Sequence, residues 1–405
     1  MKGENKLSDK ASPLEGVRVL ELGTLIAGPY CASILAQFGA EVIKVESPNG
    51  GDPLRRWRKL HNDTSLWWYS QSRNKKSLTL DLKAAEAQDI VRKLVESTDI
   101  LIENFRPGTL EKWGLGWEDL VKLNPRLIMV RVSGYGQTGP YSDRPGFAAV
   151  AESMGGLRYV AGYPDRPPVR VGVSIGDTLA SLYGVIGAMM AMHHLNANNG
   201  KGQFIDVAIY ESVFGVMESL IPEYSAQGFI RERTGSSMPG ITPSNTYKCK
   251  NGAYIIIAGN SDSIFKRLMY AIDRIDLAEN IEFEKNDGRA RNSNLIDGAI
   301  QSWCDQTDLG MALSILEGAD VPCGPIYTAA DIDKDPHYEA RGMLERHPLP
   351  DGTLVKFPGI VPKLSETPGQ TKWLGPELGA DNKNLLEMLG YSEEFIRELK
   401  TRKII

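Results

Sequence analysis

Residues 16–46 read GVRVLELGTLIAGPYCASILAQFGAEVIKVE. A β-branched run, VRVLEL, gives way to a stretch with helical spacing, YCASILAQF, and then to a second alternating run, EVIKVE. Strand, helix and strand in so short a span form a βαβ unit, and the crossover helix makes the two strands parallel. The alternation continues with KSLTLDL, the helix-like AAEAQDIVRKLVEST, DILIENF, the helix-like GWEDLVKLN and RLIMVRVSGYG. This pattern predicts an α/β protein whose parallel sheet is covered on both faces.

Further along, VGVSIGDTLAS (171–181) reads as a strand-like run that stops at Gly176 and hands over, through Asp177, to a helix reaching about His194. A short strand, QFIDVAI, and a helix over ESVFGVMESLIPEYSAQ follow. The polar, Gly-rich RERTGSSMPGITPSN (231–245) reads as a boundary loop. After it, TYKCKNGAYIIIAG is two strands joined by Asn251-Gly252, a hairpin signal, and helices extend to about Gly318. That segment predicts a smaller α+β domain. The chain ends in a charged helix near Glu393 to Arg402, with no internal repeat or low-complexity tract.

A chain of 405 residues, 42% hydrophobic and 24% charged, can bury a large core and divide into two domains. Its formal net charge of -5 argues against a nucleic-acid partner, which requires a strongly basic face. The four cysteines, Cys31, Cys249, Cys304 and Cys323, have neither metal-like spacing nor disulfide density, which suits a reducing cytoplasm. The N-terminal MKGENKLSDKASPLEG has no apolar core and does not read as a secretory signal. The longest apolar stretch, Leu179 to Met192, is shorter than the roughly 20 residues that span a bilayer. It reads as a buried helix, and no membrane partner is expected.

Asp177 is the first candidate for chemistry. Asp is a favoured helix N-cap, which is the plain reading. Ala180, three residues on, denies it a capping box, and Gly176 removes side-chain bulk beside the carboxylate, leaving room for a ligand. A helix N-terminus favours the ionised acid, the form covalent catalysis by Asp needs, so cap and nucleophile are compatible readings. A second candidate is IENFRPGTLEKWGLG (102–116), which offers Asn104, Arg106 and Lys112 and places Gly108 at an apparent helix entrance, where phosphate is bound. A turn with proline at the helix start is the structural alternative. Residues 55–83 carry eight basic residues, Arg55, Arg56, Arg58, Lys59, Arg73, Lys75, Lys76 and Lys83, against Asp63 and Asp81. A solvated basic face accounts for such a run, but in an acidic protein it is also a footprint for a phosphate-rich ligand. The Gly-rich VSGYGQTGPYSDRPGF (132–147) falls at the carboxyl edge of the expected sheet, where α/β folds bind ligands. No GxGxxG or Walker sequence supports a dinucleotide or NTP site, and no cluster has metal-ligand spacing. His193 and His194 read as helix-end or packing residues.

Taken in order, GVRVLELGTLIAGPYCASILAQFGAEVIKVE, NKKSLTLDL, DILIENFRPG, VRVSGYGQTGPYSDRPG, IGDTLAS and NGKGQFIDVAIYES resemble the class III CoA-transferase family, which includes formyl-CoA transferases, carnitine CoA-transferases and 2-methylacyl-CoA racemases. The resemblance extends to VPCGPI and GPELGADNKNLLEMLGYS near the C-terminus. It implies a Rossmann-like large domain built from both chain ends (1–225 and 331–405), a smaller α+β domain (226–330) and an intertwined homodimer, with pairing to a homologous subunit left open. The family's nucleophile matches Asp177. Its coenzyme A contacts match Ile26, Ala27, Leu80, Lys83, Asn104, Phe105, Arg106 and Lys112. CoA thioesters and carboxylic acids would be the substrates, with no permanently bound cofactor and no metal. Relatives with Arg after the second strand have their counterpart here in Ser47, and where many carry Leu-Gly-Glu-His-Thr this chain reads Leu378 to Asn382. The family's mobile active-site loop matches Gly235 to Gly240 loosely, and its backbone N–H groups are candidates for holding oxyanions.

A racemase would need the His-Asp pair of a Gly-His-Asp sequence, where this chain has Gly146-Phe147-Ala148. A silent CoA-binding subunit is the other alternative, and Asp177 argues against it. YPDRPPVRVGVSIGD resembles relatives that move CoA from succinyl-CoA to dicarboxylates such as malate, citramalate, itaconate or glutarate. Arg166 and Arg170 are candidates to pair with a distal carboxylate, or are surface residues of a Pro-rich turn.

Overall fold

The computed structural model describes residues 12–405, so most of the N-terminal stretch that does not read as a secretory signal lies outside the described residues. Strand β1 (Arg18–Glu21), helix α1 (Ala27–Gln37) and strand β2 (Glu41–Glu46) form the expected βαβ unit. The alternation continues through β3 (Lys75–Thr79), α2 (Ala85–Val95), β4 (Ile100–Glu103), α3 (Trp117–Leu123) and β5 (Ile128–Ser133). Helices α4 (Ala148–Met154) and α5 (Ile175–Ala197) precede β6 (Gln203–Ala208). The six strands lie in the order β3-β2-β1-β4-β5-β6, with every neighbouring pair parallel. This is the strand order of the doubly wound Rossmann fold, whose order reverses between the first and fourth strands.

Period-two alternation sends Val19, Ile100, Ile102, Ile128 and Val130 to one face and Leu20, Leu101 and Met129 to the other. On the first face α1 and α5 supply Cys31, Leu35, Ala180 and Ala188. On the second, α2 is joined by the chain's end, whose Leu385, Leu386, Leu399 and Ile404 enter the same cluster. Burial of each such side chain contributes about 1.5–3 kcal/mol, so the C-terminal segment is an integral layer. It also completes the edge strand. Asp381 Oδ2 accepts the Ser77 N–H at 2.8 Å, and Asn382 exchanges two bonds with Thr79 at 2.8 and 2.6 Å.

The chain divides into two compact units. One comprises the described residues up to Leu157, Val171–Glu218 and Glu339–Ile405; the other comprises Arg158–Arg170 and Ser219–Tyr338. The stretches 158–170, 219–225 and 331–338, expected from sequence in the large domain, therefore group with the smaller unit. That unit contains an antiparallel sheet of β7 (Ser244–Lys248), β8 (Tyr254–Ala258) and β9 (Cys323–Pro325), in the order β9-β8-β7. Helices Asp262–Ala271, Ser293–Cys304 and Leu309–Gly318 pack over Ile255, Ile257, Phe265, Ile300 and Leu316.

Three local expectations are corrected. Val171 to Ser174 form no strand, because alternation without a neighbouring strand has nothing to pair with, and the helix begins at Ile175. The helix expected over 211–227 is two, Ile209–Phe214 and Leu220–Gln227. Finally, α5 is longer than its apolar stretch suggested: its 23 residues are enough, by length and composition, to cross a membrane. It is also not a buried helix. Ala180, Ser181, Gly184, Ala188 and Ala191 are buried, whereas Leu182, Tyr183, Ile186 and Met190 are exposed.

Candidate active site

The helix start at Ile175 changes the role of Asp177. The N-cap is Ser174, which makes no side-chain capping bond, and Asp177 lies within the first turn. It is half-buried there, where the helix dipole favours its ionised form. Nor does Gly176 leave room for a ligand. A Cβ at 176 would lie 3.1 Å from Cγ of Glu152 and 3.2 Å from Cγ2 of Ile209. The missing side chain instead lets buried Glu152, from α4, lodge under the helix start, where its Oε1 accepts the Gly176 N–H at 3.4 Å.

The other half of the site is the loop from β1 to α1, at the reversal of strand order. Asn104, just past β4, staples it: the Thr24 N–H donates to Oδ1 at 2.8 Å and Nδ2 donates to the Thr24 carbonyl at 2.8 Å. Ile26 is the N-cap of α1 and Ala27 its first residue, both buried. The Ser181 hydroxyl lies 2.6 Å from the Ala27 carbonyl oxygen and 2.8 Å from that of Asp177. One buried side chain thus connects the loop expected to meet coenzyme A with the helix carrying the candidate nucleophile.

The remaining expected contacts are at the same carboxyl edge. Leu80 is buried just after β3, its N–H donating to the Glu46 carbonyl at 2.8 Å, and Lys83 is exposed in the following turn. Phe105 packs edge-on to Trp113 with centroids 5.6 Å apart. Arg106 and Lys112 are exposed. Gly108, in the left-handed region at φ +80, enters a helix of only four residues, Thr109–Lys112. Beneath this loop Arg131 pairs with Glu103 at 2.8 Å and Glu111 at 2.7 Å. Burial outweighs the pull of Arg131 and pushes the Glu103 carboxyl up to about 7.

Half of the basic run at 55–83 is tied by hydrogen bonds or ion pairs within the protein, so it is not a continuous phosphate-facing patch. Arg55 is buried against Glu46, at 2.7 and 2.9 Å, and stacks 3.7 Å over Trp68. Arg73 donates to the Pro358 carbonyl and Thr371, Lys75 is buried on Glu21 at 2.7 Å, and Lys76 pairs with Glu41. Local charge counting missed these acids because they lie elsewhere in the chain. It also missed Asp52, Gln71, Glu152 and Ser181. Only Asp52 had a local signal: followed by Pro53, it caps a short helical turn and accepts the Leu54 N–H at 2.9 Å.

The candidates for acceptor recognition lie in the second unit. Arg166 and Arg170 are exposed; Arg166 is 3.9 Å from Asp165 and sits over Tyr163. Gly235 and Gly240 are left-handed, at φ +68 and +74. The Gly235 N–H donates to the Gly162 carbonyl at 2.9 Å, and a Cβ there would meet the Tyr163 ring at 2.6 Å, so this end of the loop is anchored. At the position of a racemase's acid–base pair, Phe147 is exposed and Ala148 begins α4.

A doubly wound parallel sheet, with the first turn of α5 joined through Ser181 to the loop at its strand-order reversal, defines an α/β protein of the Rossmann class, in which ligands are taken at the carboxyl edge. The chain belongs to CoA-transferase family III, whose family model matches residues 14–382, and it is a CoA-transferase. It is 46% identical to the succinyl-CoA–D-citramalate CoA-transferase of Chloroflexus aurantiacus, over 97% of this chain and 98% of that one. Identity is 42% with the β subunit of that organism's succinyl-CoA–L-malate CoA-transferase, with the same coverage. The crystal structure of a CAIB/BAIF family protein from Brucella suis superposes with a TM-score of 0.83 at 34% identity, covering 94% of this chain and 100% of that one.

Proposed function

We propose that the enzyme moves CoA from succinyl-CoA to a dicarboxylic acid of the citramalate, malate or glutarate kind, with Asp177 as covalent nucleophile. The observation that carries this reading is the place of Asp177, in the first turn of α5 and tied through Ser181 to the Ile26–Ala27 loop at the switch point. The relatives' substrates support the choice of donor and acceptor.

In this mechanism an Asp177 oxygen attacks the succinyl thioester carbonyl, the C–S bond breaks, and CoA leaves as the thiolate. The thiolate then attacks the Asp177 carboxyl carbon of the mixed anhydride. Succinate departs and an aspartyl-CoA thioester remains. The acceptor carboxylate attacks that thioester and releases CoA thiolate again; the thiolate then attacks the acceptor's carbonyl in the new anhydride, giving the product thioester and free Asp177. Each bond broken is replaced by one of similar energy, so the cycle requires no ATP. Ile26, Ala27, Leu80, Lys83, Asn104, Phe105, Arg106 and Lys112 are assigned to coenzyme A. Arg166, Arg170 and the Gly235–Gly240 loop are assigned to the acceptor and the oxyanions.

We assign the working form to a homodimer, because the exposed Leu182, Tyr183, Ile186 and Met190 leave one face of α5 without apolar cover. The cytoplasm is its assigned compartment, which suits four unpaired cysteines. The test is Asp177→Ala, which is expected to abolish transfer while coenzyme A still binds. Hydroxylamine added during turnover should label Asp177 alone in the parent. Full transfer activity in the Ala variant would remove the nucleophile assignment.

A further inference from the structure

Leu25, in the loop between β1 and α1, has φ +65, a left-handed conformation that costs folding energy in a residue with a branched side chain. Its two backbone groups are both held by side chains from elsewhere. The Leu25 N–H faces both Asp52 carboxylate oxygens at 3.1 Å, and the Leu25 carbonyl accepts from Gln71 Nε2 at 2.5 Å. Both side chains are themselves buried, Asp52 at 2% and Gln71 at 4% exposure.

The clamp continues into a network of interior charges. Lys44 Nζ binds Asp52 at 2.8 Å, Glu21 at 2.7 Å and the Gly23 carbonyl at 2.9 Å. Lys75 Nζ binds Glu21 at 2.7 Å and the Pro29 carbonyl at 2.6 Å. With Asn104 on Thr24 and Ser181 on Ala27, the loop is tethered at Gly23, Thr24, Leu25, Ala27 and Pro29. Gln71 shows that the tether has a cost, because its Oε1 is buried without a hydrogen-bond partner. A buried amide with one end stranded is destabilising, and a hydrocarbon side chain of similar size would avoid that loss. What the amide supplies is the bond to Leu25.

We propose that Asp52 and Gln71 are positioning residues that hold Leu25 left-handed and so fix the start of α1 in its ligand-ready place before coenzyme A arrives. The inference rests on the functional reading above, in which Ile26 and Ala27 meet coenzyme A. It goes further by naming what prepares them and why a strained leucine stands at the turn. Glycine would adopt the same conformation without strain, but would also leave it freely.

The experiment is calorimetric titration of coenzyme A into the full-length parent, Leu25→Gly, Gln71→Met and the double variant, with thermal unfolding of each in the absence of ligand. Leu25→Gly should unfold no lower than the parent, because strain is relieved, yet bind coenzyme A about 10-fold more weakly, because the loop must now be ordered on binding. Gln71→Met should weaken binding similarly, and the double variant should bind no worse than the weaker single, since both release the same loop. Stability held while affinity falls is a split that a purely structural role would not produce. Parental affinity in both single variants would overturn the positioning role and leave the functional reading standing. A parent that does not bind coenzyme A would overturn both.

Discussion

Ser181→Ala removes a hydroxyl that is fully buried and touches two helices at once. That hydroxyl has one proton, so at any moment it donates either to the Ala27 carbonyl, at 2.6 Å, or to that of Asp177, at 2.8 Å. Both carbonyls lie in helices whose own N–H groups serve them, so neither is stranded by the change. The expected loss of stability is therefore the net worth of one hydrogen bond, about 0.5–1.5 kcal/mol. Activity should respond more strongly. The hydroxyl is a polar contact between the α1 start and the first turn of α5, and on the proposed mechanism a misplacement of about 1 Å at a reacting group costs roughly 100-fold in rate. Steady-state transfer from succinyl-CoA should show kcat reduced by about 10- to 100-fold, with KM for the donor changed far less, because the interaction lost is one of alignment. A kcat within about twofold of the parent's would reduce Ser181 to packing and refute the coupling of the loop to Asp177.

Gly176→Ala should destabilise by up to about 2 kcal/mol, because the new methyl makes Glu152 or Ile209 give by a few tenths of an ångström, an overpacking cost of about 1–3 kcal/mol that the gain of about 1 kcal/mol in helix propensity offsets only in part. A double-mutant cycle with Glu152→Ala should show the two losses to be less than additive, and full additivity would separate Glu152 from the helix start. Acid should loosen the interior network. Burial alone would raise the carboxyls of Asp52 and Glu46, but Lys44 and the N–H groups of Leu54 and Leu25 hold Asp52 below its ordinary range, and Arg55, Lys44 and Ser77 do the same for Glu46. Their contribution is complete above the ordinary carboxylate pKa of about 4 and is lost as the pH falls through the depressed values, so urea midpoints should drop on acidification in the parent and less steeply in Asp52→Asn. Acceptor choice tests Arg170: a dicarboxylate should outperform the monocarboxylate of equal length by about 10- to 150-fold, and Arg170→Ala should erase most of that preference through KM. Equal rates with succinate and butyrate would return Arg170 to the surface.

The βαβ alternation and the hairpin at Asn251-Gly252 were legible because they follow from period, apolar run length and turn chemistry, all local properties. The strand order was not, since the reversal between β1 and β4 depends on which face each crossover takes. The last helix was legible locally, but the return of the C-terminal segment to the large domain came only with the family resemblance: nothing near Leu385 or Leu399 announces that they cover the second face of a sheet begun at Arg18. Asp177 was singled out correctly as a residue at a helix start but misread as a cap, because strand-like alternation in Val171 to Ser174 hid the helix's first turn. The basic run was misread for a related reason. Arg55, Arg73 and Lys75 look like surface charge until Glu46, the Pro358 carbonyl and Glu21 are brought to them by the fold. Charge pairing across distant segments leaves no local trace.

That pairing also explains how the fold works without the usual glycine turn. Doubly wound folds that bind dinucleotides place glycines after the first strand so that backbone can turn sharply and approach phosphate. Here the corresponding stretch is Gly23-Thr24-Leu25-Ile26-Ala27-Gly28, and its left-handed residue is a leucine. A leucine keeps that geometry only if its surroundings over-determine it. Side chains from four other segments do so: Lys44 from β2, Asp52 from the following turn, Gln71 before β3 and Asn104 after β4. Buried charges are poor stabilisers compared with well-packed hydrocarbon, so the Glu21–Lys44–Asp52 group is weak as an account of stability. It is a better account of orientation. Paired ions and fixed backbone dipoles hold one loop geometry and penalise its neighbours, and the loop they hold is the one that Ser181 joins to Asp177.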